Sequence, residues 1–265
     1  MDVRIGTCGY RFYDPPTGWK DRYESKLQAY STAFPVGELN RTFYSLPMER
    51  TARRWRAEAV ESFEFTLKGY QAITHSWRSP TWNGHRDDIP DDQTQDVGHF
   101  QPTEPVIDAW KETKSMAKAL DASLILLQTP PSFGPAAENV SNMREFFSRI
   151  DRSGIDVAWE PRGEWHDDRT LVEDVCSELD LIHVVDPLRD DPVSDKSVSY
   201  LRLHGLNDDR YDYDYRYSSS ELDRLADRIR ELVAEYDTVY CLFNNYHMYD
   251  NATSLIERFD GFTTT

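Results

Sequence analysis

Seven ionisable side chains of a 265-residue chain stand just inside or just beyond short apolar runs: Glu38, Lys68, Glu160, Arg162, Asp186, Arg202 and His204. Charged groups in such settings are seldom buried unpaired, and the shifted proton affinities that result are what acid/base chemistry uses. Two of the carboxylates, Glu38 and Glu160, can serve as a general acid and a base or nucleophile, as in glycoside hydrolysis. Lys68, Arg162 and Arg202 suit a ligand carrying phosphate or carboxylate. His204 fits a general base, a metal ligand or a hydrogen-bonded structural residue. Gln128, Asn40, Asn244 and Asn245 end the same kind of run and would orient a polar substrate. Cys8 reads either as a nucleophile or as a small residue packed at a corner. A divalent ion, Mg or Mn, has an acceptable hard-ligand set in Glu38, Glu160, Asp186 and His204, although no HxH, HExxH or DxD spacing singles it out. The plainer alternative is bracing, for example a salt bridge of Glu160 with Arg202.

These side chains need a scaffold that delivers them to one end. Apolar runs at 3–7, 36–39, 63–68, 123–128, 156–160, 181–186, 199–204 and 238–243 read as strands. Helical periodicity fills 23–34, 48–59, 105–120, 137–150, 170–179 and 219–236, with Ser219 or Ser220 as a helix cap and Pro105 in a first turn. Short strands without polar alternation, separated by helices, indicate a parallel sheet covered on its outer face. Eight such units in a chain close to ~250 residues predict an α/β fold, a single (β/α)8 TIM-type barrel over 1–265, with its active site at the C-terminal strand ends. Two segments break the rhythm. Residues 70–104 form a long loop rich in Trp, His, Asp and Pro, read as a lid or as a solvated insertion, and 187–197 are too few for a helix. Trp19, Trp77, Trp82, Trp165 and Tyr246 in the loops would stack on a sugar or base, or pack.

Composition bounds the partners. The chain has 47 acidic residues, 29 of them Asp, against 23 Arg and 7 Lys, for a net charge of −17. Such a surface repels phosphate at low salt, so neither nonspecific nucleic-acid binding nor an anionic membrane is favoured. An Asp-rich, Lys-poor shell suits concentrated salt, where the Debye length is about 3 Å, and predicts a halophilic protein that weakens in dilute buffer. A melting temperature unchanged between low and molar KCl would overturn that reading. The 39% hydrophobic content supports a real core, and no apolar run is long enough to span a bilayer. With no secretory signal read in MDVRIGTCG and three widely spaced cysteines, Cys8, Cys176 and Cys241, a cytoplasmic protein with reduced thiols is expected.

GTCGY, ELNRTFYSLP, FTLKGYQAITH, LLQTPPSF, WEPRGEW, YLRLHG and VYCLFNNYHMYDNA occur in this order along nearly the whole chain. In that order they resemble the motifs of the YecE-like family, a domain of unknown function. The resemblance implies a TIM-type barrel with a polar pocket and adds Thr42, Tyr44, His75 and Asn251 to the candidates above. The chain departs from the family pattern at Cys8-Gly9-Tyr10, where the family has Ser-Gly-Trp, and at Gly163, where a His usually follows the Arg. A mechanism requiring that Ser or that His is therefore in doubt here.

The expectation is an acid/base enzyme, hydrolase-like, acting on a polar anionic or sugar-like substrate. Glu160, Glu38 and His204 would be catalytic; Lys68, Arg162, Arg202, Gln128, Asn40, Tyr44, His75, Asn244, Asn245 and Asn251 would bind substrate; Glu160, Asp186 and His204 would hold any metal. Two alternatives stand beside it: a metal-dependent phosphodiesterase or endonuclease-like activity on nucleic acid, and a noncatalytic nucleotide- or metabolite-binding barrel.

Overall fold

The computed structural model describes residues 2–85, 89–208, 210 and 213–259. Its strands are β1 (Asp2–Thr7), β2 (Val36–Leu39), β3 (Glu64–Lys68), β4 (Leu124–Gln128), β5 (Asp156–Glu160), β6 (Ile182–Val185), β7 (Val198–Leu203) and β8 (Thr238–Phe243). Each end lies within one residue of the expected run. The strand order β1 to β8 closes into a barrel, and every strand pair whose register is defined is parallel. Unbroken apolar runs such as Leu124–Leu127 form strands because both faces are buried, one by the interior and one by helices.

The helices are α1 (Lys26–Ala33), α2 (Arg41–Tyr44), α3 (Glu49–Glu58), α4 (Gln71–Thr74), α5 (Glu104–Leu120), α6 (Ala137–Arg149), α7 (Arg169–Leu179), α8 (Ser219–Leu232) and α9 (Met248–Ile256). Local chemistry sets their ends. Ser218, one residue before the expected cap, closes a capping box with Glu221, because the Glu three positions on must reach back to the cap's own N–H. Asp168 caps α7 and Pro105 sits in the first turn of α5. The nine residues of α9 and the short α2 and α4 have no counterpart among the elements expected from sequence.

The chain divides into two compact units, each discontinuous in sequence: Met1–Glu38, Ala57–Glu64 and Ile182–Thr265 form the first, Leu39–Arg56 and Phe65–Leu181 the second. In the first, β6, β7, β8, β1 and β2 pair in that order, Thr7 lying opposite Phe243 on one side and Gly37 on the other. Gly6 is required there, since a Cβ would stand 2.1 Å from the Val36 carbonyl oxygen. In the second, β3, β4 and β5 pair, and Gln128 lies opposite Glu160.

Much of the 70–104 segment is anchored. Tyr70, Ala72, Ile73, Thr74, His75, Trp82, Val97 and Phe100 are buried, and Trp82 Nε1 donates to the His75 carbonyl at 3.2 Å. Both ends are therefore packed down, which a freely swinging lid would not allow; residues 86–88 lie outside the described residues. Among the described residues no helix is long and apolar enough to cross a membrane.

Candidate active site

In the first unit a buried strand-end carboxylate meets a buried guanidinium. Glu38, the third residue of β2, is fully buried and Arg202 on β7 is 1% exposed. Arg202 Nη2 donates to Glu38 Oε1 at 2.8 Å, and the Tyr200 hydroxyl donates to Oε2 at 2.8 Å. Both carboxylate oxygens are thus engaged. Arg202 pairs with Glu38, and Glu160 pairs with Arg162. Cys8 lies 3.7 Å from the same guanidinium, yet burial above all, then Glu38, pushes its thiol well above the usual range. Nucleophilic sulfur is thiolate, and a buried thiol held in its protonated form accords with the packed-residue reading of Cys8.

The other candidates of this unit occupy separate spots. His204 is buried with its ring edge-on to Tyr213 at 5.6 Å. Asn245 Nδ2 donates to the Tyr215 carbonyl and, at 2.9 Å, to Asn251 Oδ1 on α9, while Asn244 bonds through its backbone N–H to Leu203. Asp186 Oδ1 accepts from the Leu188 N–H at 3.0 Å; Oδ2 is buried with no hydrogen-bond partner among the described residues. Burial pushes this carboxyl up to about 6. Among the described residues no group of three or more His, Cys, Asp or Glu side chains is gathered as metal ligands would be, which gives the set Glu160, Asp186 and His204 no support.

The second unit gathers a different set. Lys68 closes β3, with Nζ 2.8 Å from Gln128 Oε1 and 3.9 Å from the centre of the Phe43 ring. The Thr42 hydroxyl lies within bonding distance of the Leu39 and Lys68 carbonyls, at 2.6 and 2.7 Å, and fixes the start of α2 against the end of β3. Glu160 closes β5, and its Oε1 accepts from Arg162 Nε at 2.9 Å, with Nη2 of the same guanidinium 2.8 Å away as an ion-pair contact. His75, after α4, packs edge-on against Phe43 at 4.8 Å and shares a 2.8 Å hydrogen bond between Nδ1 and Thr74 Oγ1. Burial first, then the charges of Lys68 and Arg162, hold His75 well below the usual histidine range. It is a neutral imidazole beside two cations. Among the described residues no hydrogen bond engages its Nε2.

Tyr44 is half exposed and stacks on His85 at 5.7 Å, and Asn40 caps α2 through its backbone. Of the loop aromatics, Trp82 and Trp165 are core residues, while Tyr246 is exposed. Sequence reasoning missed Tyr200, whose hydroxyl completes the Glu38 network, and Phe43, which faces Lys68. Alternation along a strand puts Tyr200 on the same side as Arg202, and that parity was the available signal.

Comparison with known proteins bears on the family and the fold. A family described as "Protein of unknown function DUF72" matches residues 4–263. The UPF0759 protein YunF of Bacillus subtilis (strain 168) is 26% identical over 287 residues, covering 97% of this chain and 95% of YunF. The crystal structure of a DUF72 family protein from Thermotoga maritima superposes with a TM-score of 0.70 at 22% identity, covering 98% of this chain and 100% of that one. Endonuclease IV from Thermus thermophilus shares the barrel fold, with a TM-score of 0.53 at 12% identity and coverage of 97% and 98%.

Proposed function

The chain belongs to the DUF72 family of proteins of unknown function, and from that premise we infer that it is an acid/base enzyme that binds a small substrate through an anionic group at Lys68 and Arg162. The observation that carries this reading is His75: a buried, neutral imidazole flanked by two cations, with Nε2 engaged by no described residue. Burial is the main cause of the low proton affinity of His75, and an anion beside Lys68 and Arg162 would offset the smaller part that those charges add, raising its proton affinity as substrate arrives. His75 is then a proton acceptor that strengthens on binding. Glu160, oriented by Arg162, is the second proton-transfer group, and Gln128 holds the Lys68 ammonium in place. Glu38 and Arg202 have no proton-transfer role in this scheme.

A metal-dependent nuclease reading has only the shared fold behind it, and fold alone does not carry function. Titration calorimetry with inorganic phosphate and acetate tests the binding step. Wild type should bind at least one of them, and Lys68→Met should weaken that binding by about tenfold or more, the loss of a charge-assisted hydrogen bond. Binding that survives Lys68→Met unchanged would refute the assignment. Binding without turnover across ester and glycoside substrates would favour the noncatalytic barrel.

A further inference from the structure

Two neighbouring residues of α2 bear on Lys68 from different sides of its chemistry. The Thr42 hydroxyl, within bonding distance of the Leu39 and Lys68 carbonyls, ties the helix to the end of β3. Phe43 is thereby carried against the lysine side chain, whose Nζ stands 3.9 Å from the ring centre. That is contact distance, well inside the about 6 Å over which a ring face attracts a cation. Lys68 is 9% exposed and Phe43 2%, so little water screens the attraction, and it is strongest in such desolvated places.

Filling space here would need only an aliphatic side chain of similar volume. What a phenyl ring adds is a negative face. The ring attracts the ammonium without cancelling its charge, as a carboxylate in its place would, and Gln128 Oε1 at 2.8 Å is a second neutral partner of the same nitrogen. The ring also meets His75 edge-on at 4.8 Å, so a single side chain touches both the lysine and the histidine of this unit's cluster.

We propose that Phe43 is a positioning residue of the Lys68 site: the negative face of its ring holds the ammonium where the ligand's anionic group is met, and anion affinity depends on that face rather than on the volume the ring fills. Phe43 acts through Lys68. This rests on the anion reading above. A lysine side chain has a flexible four-carbon stem, so an ammonium already held by a ring and an amide loses less freedom when the anion arrives.

The experiment titrates inorganic phosphate into the full chain carrying, at position 43, phenylalanine, para-fluorophenylalanine, pentafluorophenylalanine or leucine. Fluorination nearly preserves the ring's shape while it drains and then reverses the negative face. Affinity should fall stepwise along the fluorinated series, by about fivefold or more for the pentafluoro ring, while the melting temperature of both fluorinated proteins stays within about 2–4 °C of wild type. In a Lys68→Met background the pentafluoro ring should cause no further loss, since its effect passes through the ammonium. A pentafluoro protein that binds phosphate as tightly as wild type overturns the proposal. So does a loss of affinity that appears in Phe43→Leu but not with the fluorinated rings, or that tracks the melting temperature, since either marks a packing role; a fluorination effect undiminished in Lys68→Met overturns it too. These outcomes leave the anion reading standing. If Lys68→Met binds phosphate as wild type does, or wild type binds none, the anion reading itself fails and the role of Phe43 with it.

Discussion

Glu38–Arg202 in the first unit and Glu160–Arg162 in the second both set a carboxylate against a guanidinium at 2.8 Å, yet the two pairs differ in reach and in company. Glu38 and Arg202 are 164 positions apart and join β2 to β7 across one unit. Their side chains are 0% and 1% exposed, and a tyrosine hydroxyl takes the remaining carboxylate oxygen. Glu160 and Arg162 are two residues apart at the end of one strand, 5% and 10% exposed, and their neighbours include a second cation and a neutral histidine. The first pair engages both oxygens of its carboxylate and ties distant chain segments together. The second orients a carboxylate in the unit that also holds Lys68 and a neutral histidine. Strand-end position alone does not distinguish a brace from a site; what the remaining lone pairs and protons face does.

The comparison can be broken first at Glu38. Glu38→Gln removes the carboxylate facing the fully buried Arg202 guanidinium, and urea denaturation should show a loss of about 3–5 kcal/mol. A loss below about 1 kcal/mol would mean the pair is not a brace. Asp186 gives the next effect. Its folded value near 6 lies above the reference of 3.8, so the folded state holds the proton more tightly and stability falls as pH rises from about 4 through 6. Asp186→Asn should abolish that slope and be more stable than wild type at pH 8 by an amount on the order of 2–3 kcal/mol, with no advantage near pH 3.5. His75 in the second unit runs the other way. Its folded value lies below the reference of 6.5, so its contribution is present above 6.5 and is lost as pH falls below it. His75→Asn should flatten the decline of stability on the acid side, and bound phosphate should shift wild type's transition toward higher pH. The smallest expected effect concerns the thiols: Cys8, Cys176 and Cys241 are buried, so a thiol reagent should label the native protein far more slowly than the urea-unfolded chain.

Much of the fold was legible because parallel strands buried on both faces read as continuous apolar runs, and each of the eight strands appears within a residue of its expected ends. Helix α9 was hidden because MYDNATSLI mixes Asn, Asp and Thr, poor helix formers, with its apolar positions. The site was legible as a set of residues and not as pairs. Lys68, Gln128, Glu160 and Arg162 announce themselves at strand ends, but the pairing of Glu38 with Arg202, 164 positions apart, depends on the three-dimensional fit of distant strands. His75 follows a short helix inside what reads as a loop, and only a family resemblance marked it.

The central claim is that the two acid–arginine pairs divide the work, one holding the barrel and the other serving a ligand. Glu38→Gln and Glu160→Gln, each subjected to urea denaturation and to phosphate titration, test it side by side. The account predicts that Glu38→Gln loses about 3–5 kcal/mol of stability, whereas Glu160→Gln stays within about 1.5 kcal/mol of wild type and alters phosphate affinity. Equal losses of stability in the two variants, with phosphate affinity unchanged in Glu160→Gln, would contradict it.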